Sequence, residues 1–232
     1  MGFAVARAAR AAGHAVVLIA GPVAQRTPRG VRRVDVESAR DMLCAVRRAM
    51  SEGTGPVALV MTAAVADWRP AVRAARKLKK AQMSGTLRLV RNPDILKSLG
   101  RRACGEVRIG FAAETGDPTA EAARKCRAKK LDLVVANDVS QPGSGFGTTT
   151  NRVAFVFPDG RIEPLPLMSK DAVARRIRTF RPPSSGSIRS RDGKRASPSP
   201  CWRRMRTPLR GSSAATCRLA RRSWLRAIGP AR

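Results

Sequence analysis

Runs of apolar residues alternate with helical patterns along residues 1–180. The runs are five to seven residues long and rich in Val, Ile, Leu and Ala, which is typical of strands buried in a sheet. Strands are predicted at 15–19, 31–36, 57–63, 86–90, 107–113 and 131–136, and helices at 2–12 and 170–180, after Ser38, after Asn92-Pro93 and after Asp117-Pro118. This β-α-β alternation predicts an α/β domain with a mostly parallel sheet and helices on both faces.

Cap and turn residues support these boundaries. Ser38 and Ser169 are typical N-cap residues, and Asn92 followed by Pro93 is predicted to begin a helix in the same way. Between 151 and 167, two apolar runs flank an Asp-Gly turn. This pattern predicts a β-hairpin.

The periodic pattern is lost beyond residue 182, where Arg, Ser, Pro and Gly dominate. Residues 183–232 hold 13 Lys and Arg against one acid, so they contribute +12 to the net charge of +30 on this 232-residue chain. We therefore divide the chain into a folded domain, 1–182, and a basic tail, 183–232, that is predicted to be disordered. One alternative for the tail is a nucleic-acid-binding arm, with Trp202 and Trp224 as stacking groups. The other is a shifted reading frame, which we favour because the Arg-Ser-Pro runs follow no folding pattern.

Cysteine and histidine usage limits the chemistry. The five cysteines form no C-x-x-C pair, and His14 is the only histidine. Zinc binding and histidine-based nucleophilic catalysis are therefore not expected. An odd number of scattered cysteines favours reduced thiols in the cytoplasm. No apolar stretch of the sequence is long enough to cross a membrane.

The most informative stretch runs from residue 63 to residue 80. An apolar run, 57–65, leads directly into Asp67, so this carboxylate is predicted to lie where a buried strand emerges. Ligands of open α/β sheets bind in the crevice beyond the carboxyl ends of the strands. The loop that follows carries three lysines, the first of them Lys77. A carboxylate suits a hard cation and lysines suit phosphate, so the pattern predicts a site for a polyphosphate with its metal ion.

Each candidate residue also has a purely structural interpretation. Asp67 could cap a helix, and Phe111 could be a core aromatic residue at a strand end. Lys125 and Lys129 lie four residues apart on one predicted helix face, and spacing alone favours a solvated surface for them. The Asn-Asp pair at 137–138 is more typical of a turn than of chemistry.

Six sequence blocks occur in a fixed order. They are Ala-Ala-Val-Ala-Asp-Trp-Arg-Pro at 63–70, Lys-Leu-Lys-Lys at 77–80, Asn-Pro-Asp-Ile-Leu at 92–96, Gly-Phe-Ala-Ala-Glu-Thr at 110–115, Lys125 with Lys129, and Ala-Asn-Asp-Val-Ser at 136–140. In this combination residues 1–180 resemble phosphopantothenoylcysteine synthetase. In bacteria this enzyme is usually the C-terminal half of a bifunctional coenzyme A biosynthesis protein. The resemblance implies a Rossmann-like fold.

The resemblance also implies a two-step ligation. The carboxylate of 4′-phosphopantothenate attacks the α-phosphate of CTP and releases pyrophosphate, and the amine of L-cysteine then displaces CMP from the acyl-cytidylate. CTP is a co-substrate here and Mg²⁺ the metal, whereas FMN belongs only to the decarboxylase half, which is absent from this chain. A homodimer is implied as well, with the 151–167 hairpin as its expected interface.

Site residues follow from the matched motifs. The resemblance implies that Asp67 lies near the triphosphate and metal, and that Lys77 closes over the site to stabilise the acyl-cytidylate or its breakdown. The nucleotide contacts that it implies are Met61, Thr62, Ala63, Pro93, Asp94, Ile95, Leu96, Phe111, Lys125 and Lys129. For Lys125 and Lys129 the resemblance therefore favours a nucleotide contact over the solvated surface that spacing alone indicates.

The start of the chain departs from the family pattern. Family members have a strand, a glycine-rich turn and an Asn-containing segment ending in Ser-Ser-Gly-Lys directly before the Met-Gly-Phe that begins this sequence. We therefore expect an N-terminally truncated chain, unpaired strand edges in its sheet, and impaired ligase activity.

Two other functional classes remain open. A basic nucleic-acid-binding protein that uses its Arg-rich tail would bind without sequence specificity and with steep salt dependence. A dinucleotide-dependent oxidoreductase is the weaker alternative, because no G-x-G-x-x-G follows a predicted strand.

Overall fold

The computed structural model describes residues 1–53, 55–77, 85–103, 105–145 and 147–182. Its helices are α1, Gly2–Ala11; α2, Ala39–Glu52; α3, Ile95–Ser98; α4, Thr119–Ala128; and α5, Lys170–Thr179. Its strands are β1, Val17–Ala20; β2, Arg32–Asp35; β3, Ala58–Met61; β4, Trp68–Pro70; β5, Leu89–Arg91; β6, Val107–Glu114; β7, Leu133–Asp138; β8, Thr150–Asn151; β9, Val153–Val156; β10, Ile162–Pro164; and β11, Met168–Ser169. The predicted tail, 183–232, and the lysines at 79 and 80 lie outside the described residues.

Five strands form the central sheet, in the order β10-β9-β7-β6-β3. β3, β6 and β7 are parallel to one another, with Met61 opposite Gly110 and Gly110 opposite Val134. β9 and β10 continue the sheet as an antiparallel hairpin. The predicted α/β class and the predicted hairpin are both confirmed.

Apolar side chains on the two sides of the sheet pack against different helices. Ile109 and Leu133 join the core cluster that includes Val173 and Ile177 of α5 and is flanked by Val5 of α1. On the opposite side, the neighbouring residues of the same strands pack against α3 and α4. Because adjacent residues of a strand point to opposite sides, a sheet covered on both faces needs the nearly continuous apolar runs found in this sequence.

β1 and β2 form a separate parallel pair rather than part of the central sheet. The buried side chains of α2, among them Met42 and Val46, pack beside this pair and below β3. α1 therefore covers one side of this region and α2 the other. This arrangement matches a doubly wound fold, in which successive crossover helices lie on opposite faces.

One predicted strand occupies a different place. The strand predicted at 86–90 corresponds to β5, which pairs antiparallel with β4 and lies outside the central sheet. No sequence pattern predicted β4. β4 follows β3 in the chain and pairs only with β5. We call these two strands and the segment that joins them the β4–β5 arm.

Most predicted helix caps are present. Ser38 accepts a hydrogen bond from the Asp41 N–H (3.2 Å) within a capping box, and Ser169 accepts one from Ala172 (3.2 Å). The prediction of Asn92 as an N-cap is wrong, because Asp94 has that position and accepts from the Lys97 N–H (3.2 Å). Among the residues that the structure describes, no helix is long and apolar enough to span a membrane.

Candidate active site

The candidate site lies at the carboxyl end of the parallel strands. β3 ends at Met61, β6 at Glu114 and β7 at Asp138, and the chain leaves the sheet at the same edge after each of them. The backbone N–H groups and side chains that follow these strands therefore converge there.

α1 begins beside this edge. A Cβ atom on Gly2 would lie only 2.8 Å from the Thr62 hydroxyl oxygen, so the start of α1 approaches the end of β3 closely. The N-cap residue, Met1, makes no side-chain capping bond. The first turn of α1 therefore presents backbone N–H groups and the positive end of the helix dipole close to Thr62.

Asp67 lies between the end of β3 and the β4–β5 arm, and its side chain is exposed. The Asn92 N–H donates to the Asp67 carbonyl (2.7 Å), and the Asn92 side-chain amide donates to the carbonyl of Ala66 (2.7 Å). No described side chain is paired with the Asp67 carboxylate. The alternative that Asp67 caps a helix is wrong, because strand β4 follows it directly.

The β4–β5 arm is held to this edge by polar contacts. The Arg69 guanidinium donates to the Arg91 carbonyl (2.6 Å) and to the Asn92 side-chain oxygen (3.1 Å). The guanidinium of Arg91 in turn lies 5.0 Å from the ring centre of Trp68. Lys77 is exposed at the end of the described part of the arm.

Lys129 pairs with Asp94. Its Nζ lies 3.0 Å from a carboxylate oxygen of Asp94, which follows β5 at the start of α3. Burial alone would raise the pKa of Asp94, but the Lys97 N–H and the Lys129 ammonium outweigh it and hold that pKa below its ordinary value. Asp94 is therefore a carboxylate at neutral pH, and Lys129 neutralises it.

Lys125 pairs with a different carboxylate. Its Nζ lies 2.6 Å from Glu114, the last residue of β6, and 3.6 Å from Glu121 of its own helix. Lys125 of α4 and Lys129, which caps the end of that helix, therefore reach two separate acids instead of presenting two unpaired charges to one pocket. Spacing along the helix could not show this, because both carboxylates belong to other elements of the fold.

Several other predicted nucleotide contacts are partly or wholly in the core. The side chains of Ile95 and Leu96 are buried, in different core clusters. Phe111 is half-buried and packs against the cluster on the α1 and α5 side, and Met61 packs on the opposite side. The side chains of Ile95 and Leu96 are therefore not available to a ligand, and these two residues could contact one only through their backbones. Pro93, Thr62 and Ala63 are at least partly exposed at the carboxyl edge.

The Asn-Asp pair at 137–138 forms the end of β7 and shapes the backbone beyond it. The Asp138 carboxylate accepts from the Ser140 N–H (3.0 Å) and from the Gly116 N–H (3.2 Å). The hydrogen bonds from Ser140 are the main reason why the pKa of Asp138 is lowered. Asn137 is buried and accepts from the Ser144 hydroxyl (2.7 Å). The predicted turn therefore begins one residue later than 137–138, because both residues still belong to β7 and their side chains hold the turn that follows.

The described residues do not contain a cluster of three or more His, Cys, Asp or Glu side chains that could hold a metal ion by themselves. Mg²⁺ is commonly held by one or two carboxylates together with phosphate oxygens of a substrate. The exposed Asp67 carboxylate fits such a shared site, and a metal cage made only of protein ligands does not.

Comparison with known proteins gives a consistent result. The profile of the family described as DNA/pantothenate metabolism flavoprotein C-terminal domain matches residues 1–180. The coenzyme A biosynthesis bifunctional protein CoaBC of Vibrio vulnificus is 44% identical over 182 residues, which are 76% of this chain and 44% of that protein. The Bacillus subtilis protein of the same name is 45% identical over 171 residues, or 73% of this chain and 41% of the relative. The chain thus spans less than half the length of these relatives.

A solved structure extends this result to the fold. The crystal structure of the C-terminal domain of CoaBC aligns with a TM-score of 0.61 and 37% sequence identity. The alignment covers 76% of this chain and 77% of that domain.

Proposed function

This chain belongs to the DNA/pantothenate metabolism flavoprotein C-terminal domain family, and from that premise we propose that it is a CTP-dependent phosphopantothenate–cysteine ligase. It joins the carboxylate of 4′-phosphopantothenate to the amine of L-cysteine. In the first step the carboxylate attacks the α-phosphorus of CTP, and the bond to pyrophosphate breaks. In the second step the cysteine amine attacks the acyl carbon, loses a proton, and releases CMP.

Asp67 is the proposed metal ligand. Mg²⁺ held between this carboxylate and the triphosphate would neutralise charge on the departing pyrophosphate. The exposed position of the Asp67 side chain supports this role, because a ligand that arrives with its own metal must meet an accessible carboxylate. The hydrogen bonds from Asn92 fix the backbone on which that carboxylate is carried.

Lys77 is the proposed catalytic cation. It is carried on the β4–β5 arm, which Arg69 and Asn92 anchor at the carboxyl edge of the sheet. A lysine is a point charge on a flexible stem, so it can follow the negative charge that develops on the phosphate and acyl oxygens. In this proposal Asp67 and Lys77 contact the nucleotide from the two ends of segment 67–77.

Lys125 and Lys129 form the proposed cationic wall for the triphosphate. In the structure each is paired with a carboxylate, Lys125 with Glu114 and Lys129 with Asp94. Both pairs are partly exposed, so the ammonium groups keep part of their hydration and can exchange a carboxylate partner for phosphate at small cost. We propose that each pair holds its lysine ready for the nucleotide.

The remaining nucleotide contacts are backbone and edge groups. We propose that the backbone of Met61, Thr62 and Ala63 meets the nucleotide after β3, and that residues Pro93 to Leu96 do so on the opposite wall. Asp94 positions Lys129, and Phe111 offers part of its ring to the base. FMN is not assigned to this region, because it belongs to the decarboxylase part in this proposal.

The observation that carries the proposal is the position of Asp67. Its exposed carboxylate lies at the carboxyl edge of a doubly wound sheet, between Thr62 and an anchored arm that bears Lys77. Binding of CTP with Mg²⁺, measured by calorimetry, tests it. Asp67→Asn is expected to weaken binding about tenfold, because one charge-assisted metal contact is lost.

Asp159→Asn is the matched control, since this exposed aspartate lies in the turn of the β9–β10 hairpin. It should bind CTP·Mg²⁺ as the parent chain does. Equal affinity for Asp67→Asn and the parent would contradict the metal role of Asp67. ATP in place of CTP, in the same titration, measures the nucleotide preference.

We also infer a homodimer that uses the 151–167 hairpin. β10 is the outer strand of the central sheet. Two apolar residues near this edge are exposed: Ile162 on β10 (46%) and Leu167 just beyond it (44%). An exposed strand edge with apolar side chains can pair with its own copy across a two-fold axis. Ile162→Lys should convert a dimer to a monomer in size measurements, and a parent chain that is only monomeric would contradict the inference.

A further inference from the structure

The Asp138 carboxylate joins the ends of two strands at the carboxyl edge. β6 and β7 end side by side, with Glu114 opposite Asp138 as their last pair. Gly116, two residues beyond Glu114, donates its N–H to Asp138 Oδ1 (3.2 Å). In the other direction, the Val139 N–H donates to the Glu114 carbonyl (2.9 Å). The turn that leads from β6 to α4 is therefore tied to the end of β7.

The acceptor positions of the Asp138 carboxylate are filled by the protein. Besides the Gly116 N–H, it accepts from the Ser140 N–H (3.0 Å), the Ser140 hydroxyl (2.5 Å) and the Gln141 side-chain amide (3.1 Å). An ionised carboxylate offers about four acceptor positions, and four donors already occupy them. A metal ion would have to displace one of these donors. Asp138 is therefore suited to hold the backbone and poorly suited to bind a ligand.

Asp117 lies in the same turn but makes a local contact. Its carboxylate accepts from the Thr119 N–H (2.9 Å), two residues further along the chain. This bond stabilises the start of α4 without joining it to β7. The turn thus carries one acid with a local contact and is held at its other end by an acid from β7.

Glu114 connects this tie to the candidate site. Its carboxylate lies 2.6 Å from Lys125 Nζ, and both side chains are partly exposed. Lys125 belongs to α4, whose Ala122 and Cys126 are fixed in the core. Glu114 is the last residue of β6, so the position of its side chain depends on how the backbone after the strand is held. Asp138 holds that backbone.

We propose that Asp138 is a positioning residue for the nucleotide. It fixes the backbone of 114–116, Glu114 then directs the Lys125 ammonium, and Asp138 itself touches neither the nucleotide nor its metal ion. The inference rests on the proposed function, in which Lys125 is part of the cationic wall. A group that is oriented before the ligand arrives binds it more tightly, because less order has to be gained on association.

The test uses the full 232-residue chain and the variant Asp138→Ala. Binding of CTP·Mg²⁺ is measured by calorimetry. Loss of a negative charge close to the triphosphate would by itself strengthen binding. Loss of positioning weakens it, and we expect an affinity about fivefold lower than that of the parent chain. The sign of the change therefore separates the two effects.

A second substitution shows whether Asp138 acts through the lysine. In a Lys125→Met chain, Asp138→Ala should cause no further loss, because the group that it positions is gone. Asp138→Asn keeps one acceptor oxygen for the Gly116 N–H and should retain most of the parent affinity. Asp117→Ala is the matched control, since it removes the same charge from the same turn, and it should not weaken binding.

Amide hydrogen exchange without nucleotide tests the tie itself. The Gly116 amide should exchange faster in Asp138→Ala than in the parent chain, and at the parent rate in Asp117→Ala. A parent chain that binds no CTP·Mg²⁺ would overturn the proposed function, whereas the exchange rates would still decide whether Asp138 holds the turn. The two failures are therefore distinguishable.

Glu114→Gln keeps the test decisive if Asp138→Ala does not fold. It removes the charge that directs Lys125 and leaves the tie intact, so CTP·Mg²⁺ should bind about fivefold more weakly while the Gly116 amide keeps its parent exchange rate. Parent affinity in Glu114→Gln would overturn the proposal. So would unchanged or stronger binding by Asp138→Ala, an equal loss with and without Lys125, or an equal loss in Asp117→Ala.

Discussion

The two ends of the parallel strands both carry ion pairs, but the pairs are built differently. At the amino end, Arg108 and Glu106 form a pair whose side chains are only 3% and 4% exposed. At the carboxyl end, Lys125 and Glu114 form a pair whose side chains are 27% and 38% exposed. The Arg108–Glu106 pair is therefore buried, and the Lys125–Glu114 pair is accessible to water.

The donors at the amino end have several partners. The Arg108 guanidinium also donates to the Gly100 carbonyl (3.1 Å), and Arg102 bonds to both the Glu106 carbonyl and Asp132. Burial would raise the pKa of Glu106, but the hydrogen bond from Arg108 outweighs it, and the pKa is lowered. A planar guanidinium with five donors can be satisfied in this way, which makes it a structural group.

The lysines at the carboxyl end have compact charges and few fixed partners. An ammonium group that keeps part of its hydration can exchange one anion for another, and a buried guanidinium network cannot. The comparison therefore teaches that charge alone does not identify a ligand site in a chain with 46 Lys and Arg. What distinguishes the site is accessible charge at the end of the sheet where loops converge.

The largest expected effect is on the buried pair. Glu106→Gln removes the charge that compensates Arg108, and a buried pair broken in this way costs about 3–5 kcal/mol of unfolding free energy. Urea denaturation measures the loss. The folded fraction should still bind CTP·Mg²⁺ with parent affinity, because Glu106 lies at the opposite end of the strands. A loss below about 1 kcal/mol would show that the network is not a structural anchor.

In contrast to Glu106→Gln, the variant Lys77→Ala should lose activity and keep its stability. Removing a group that stabilises transition-state charge lowers kcat by about 10²–10³-fold, while an exposed substitution changes stability by less than about 0.5 kcal/mol. CMP release from the ligation reaction measures kcat. Arg76→Ala, the exposed neighbouring residue, is the control and should retain parent activity. An equal loss in both variants would argue against a specific role for Lys77.

The buried thiol of Cys126 should make the stability of the domain depend on pH. Its thiol lies between α4 and β7, and burial raises its pKa from 9.0 to about 11. Between these values the unfolded thiol loses its proton and the folded one keeps it, so stability falls as pH rises. The loss attributable to Cys126 should reach roughly 2 kcal/mol by pH 11. It is measured as the difference between the parent and Cys126→Ala in denaturation at increasing pH, and parallel curves would contradict it.

The smallest expected effect is on the open lysine pairs. Lys125→Met and Lys129→Met should each weaken CTP·Mg²⁺ binding by about tenfold, since each removes one partly hydrated charge from the proposed triphosphate site. Stability should change by at most about 1 kcal/mol, because partly exposed ion pairs contribute little. Arg127→Met, an exposed position of the same helix, is the matched control. Equal weakening in this control would indicate only a general charge effect.

Much of the fold could be predicted from local sequence. The apolar runs that became β3, β6 and β7 were recognisable because strands buried on both faces need continuous apolar residues. The caps at Ser38 and Ser169 were predictable because an N-cap bond spans only three residues. The boundary near Asn92 was less secure, since Asn92 and Asp94 are both good caps and the contact of Asn92 with Ala66 decided between them.

The sequence named the residues of the candidate site but not the ion pairs that they form. The sequence alone determined a mostly parallel α/β domain and an acidic residue and lysines after its strands, because composition and short-range periodicity specify these features. Only the tertiary structure decided that β5 pairs with β4, and that Lys125 meets Glu114 while Lys129 meets Asp94. These are contacts between residues of different elements, and they depend on the relative placement of whole elements, which no local pattern encodes.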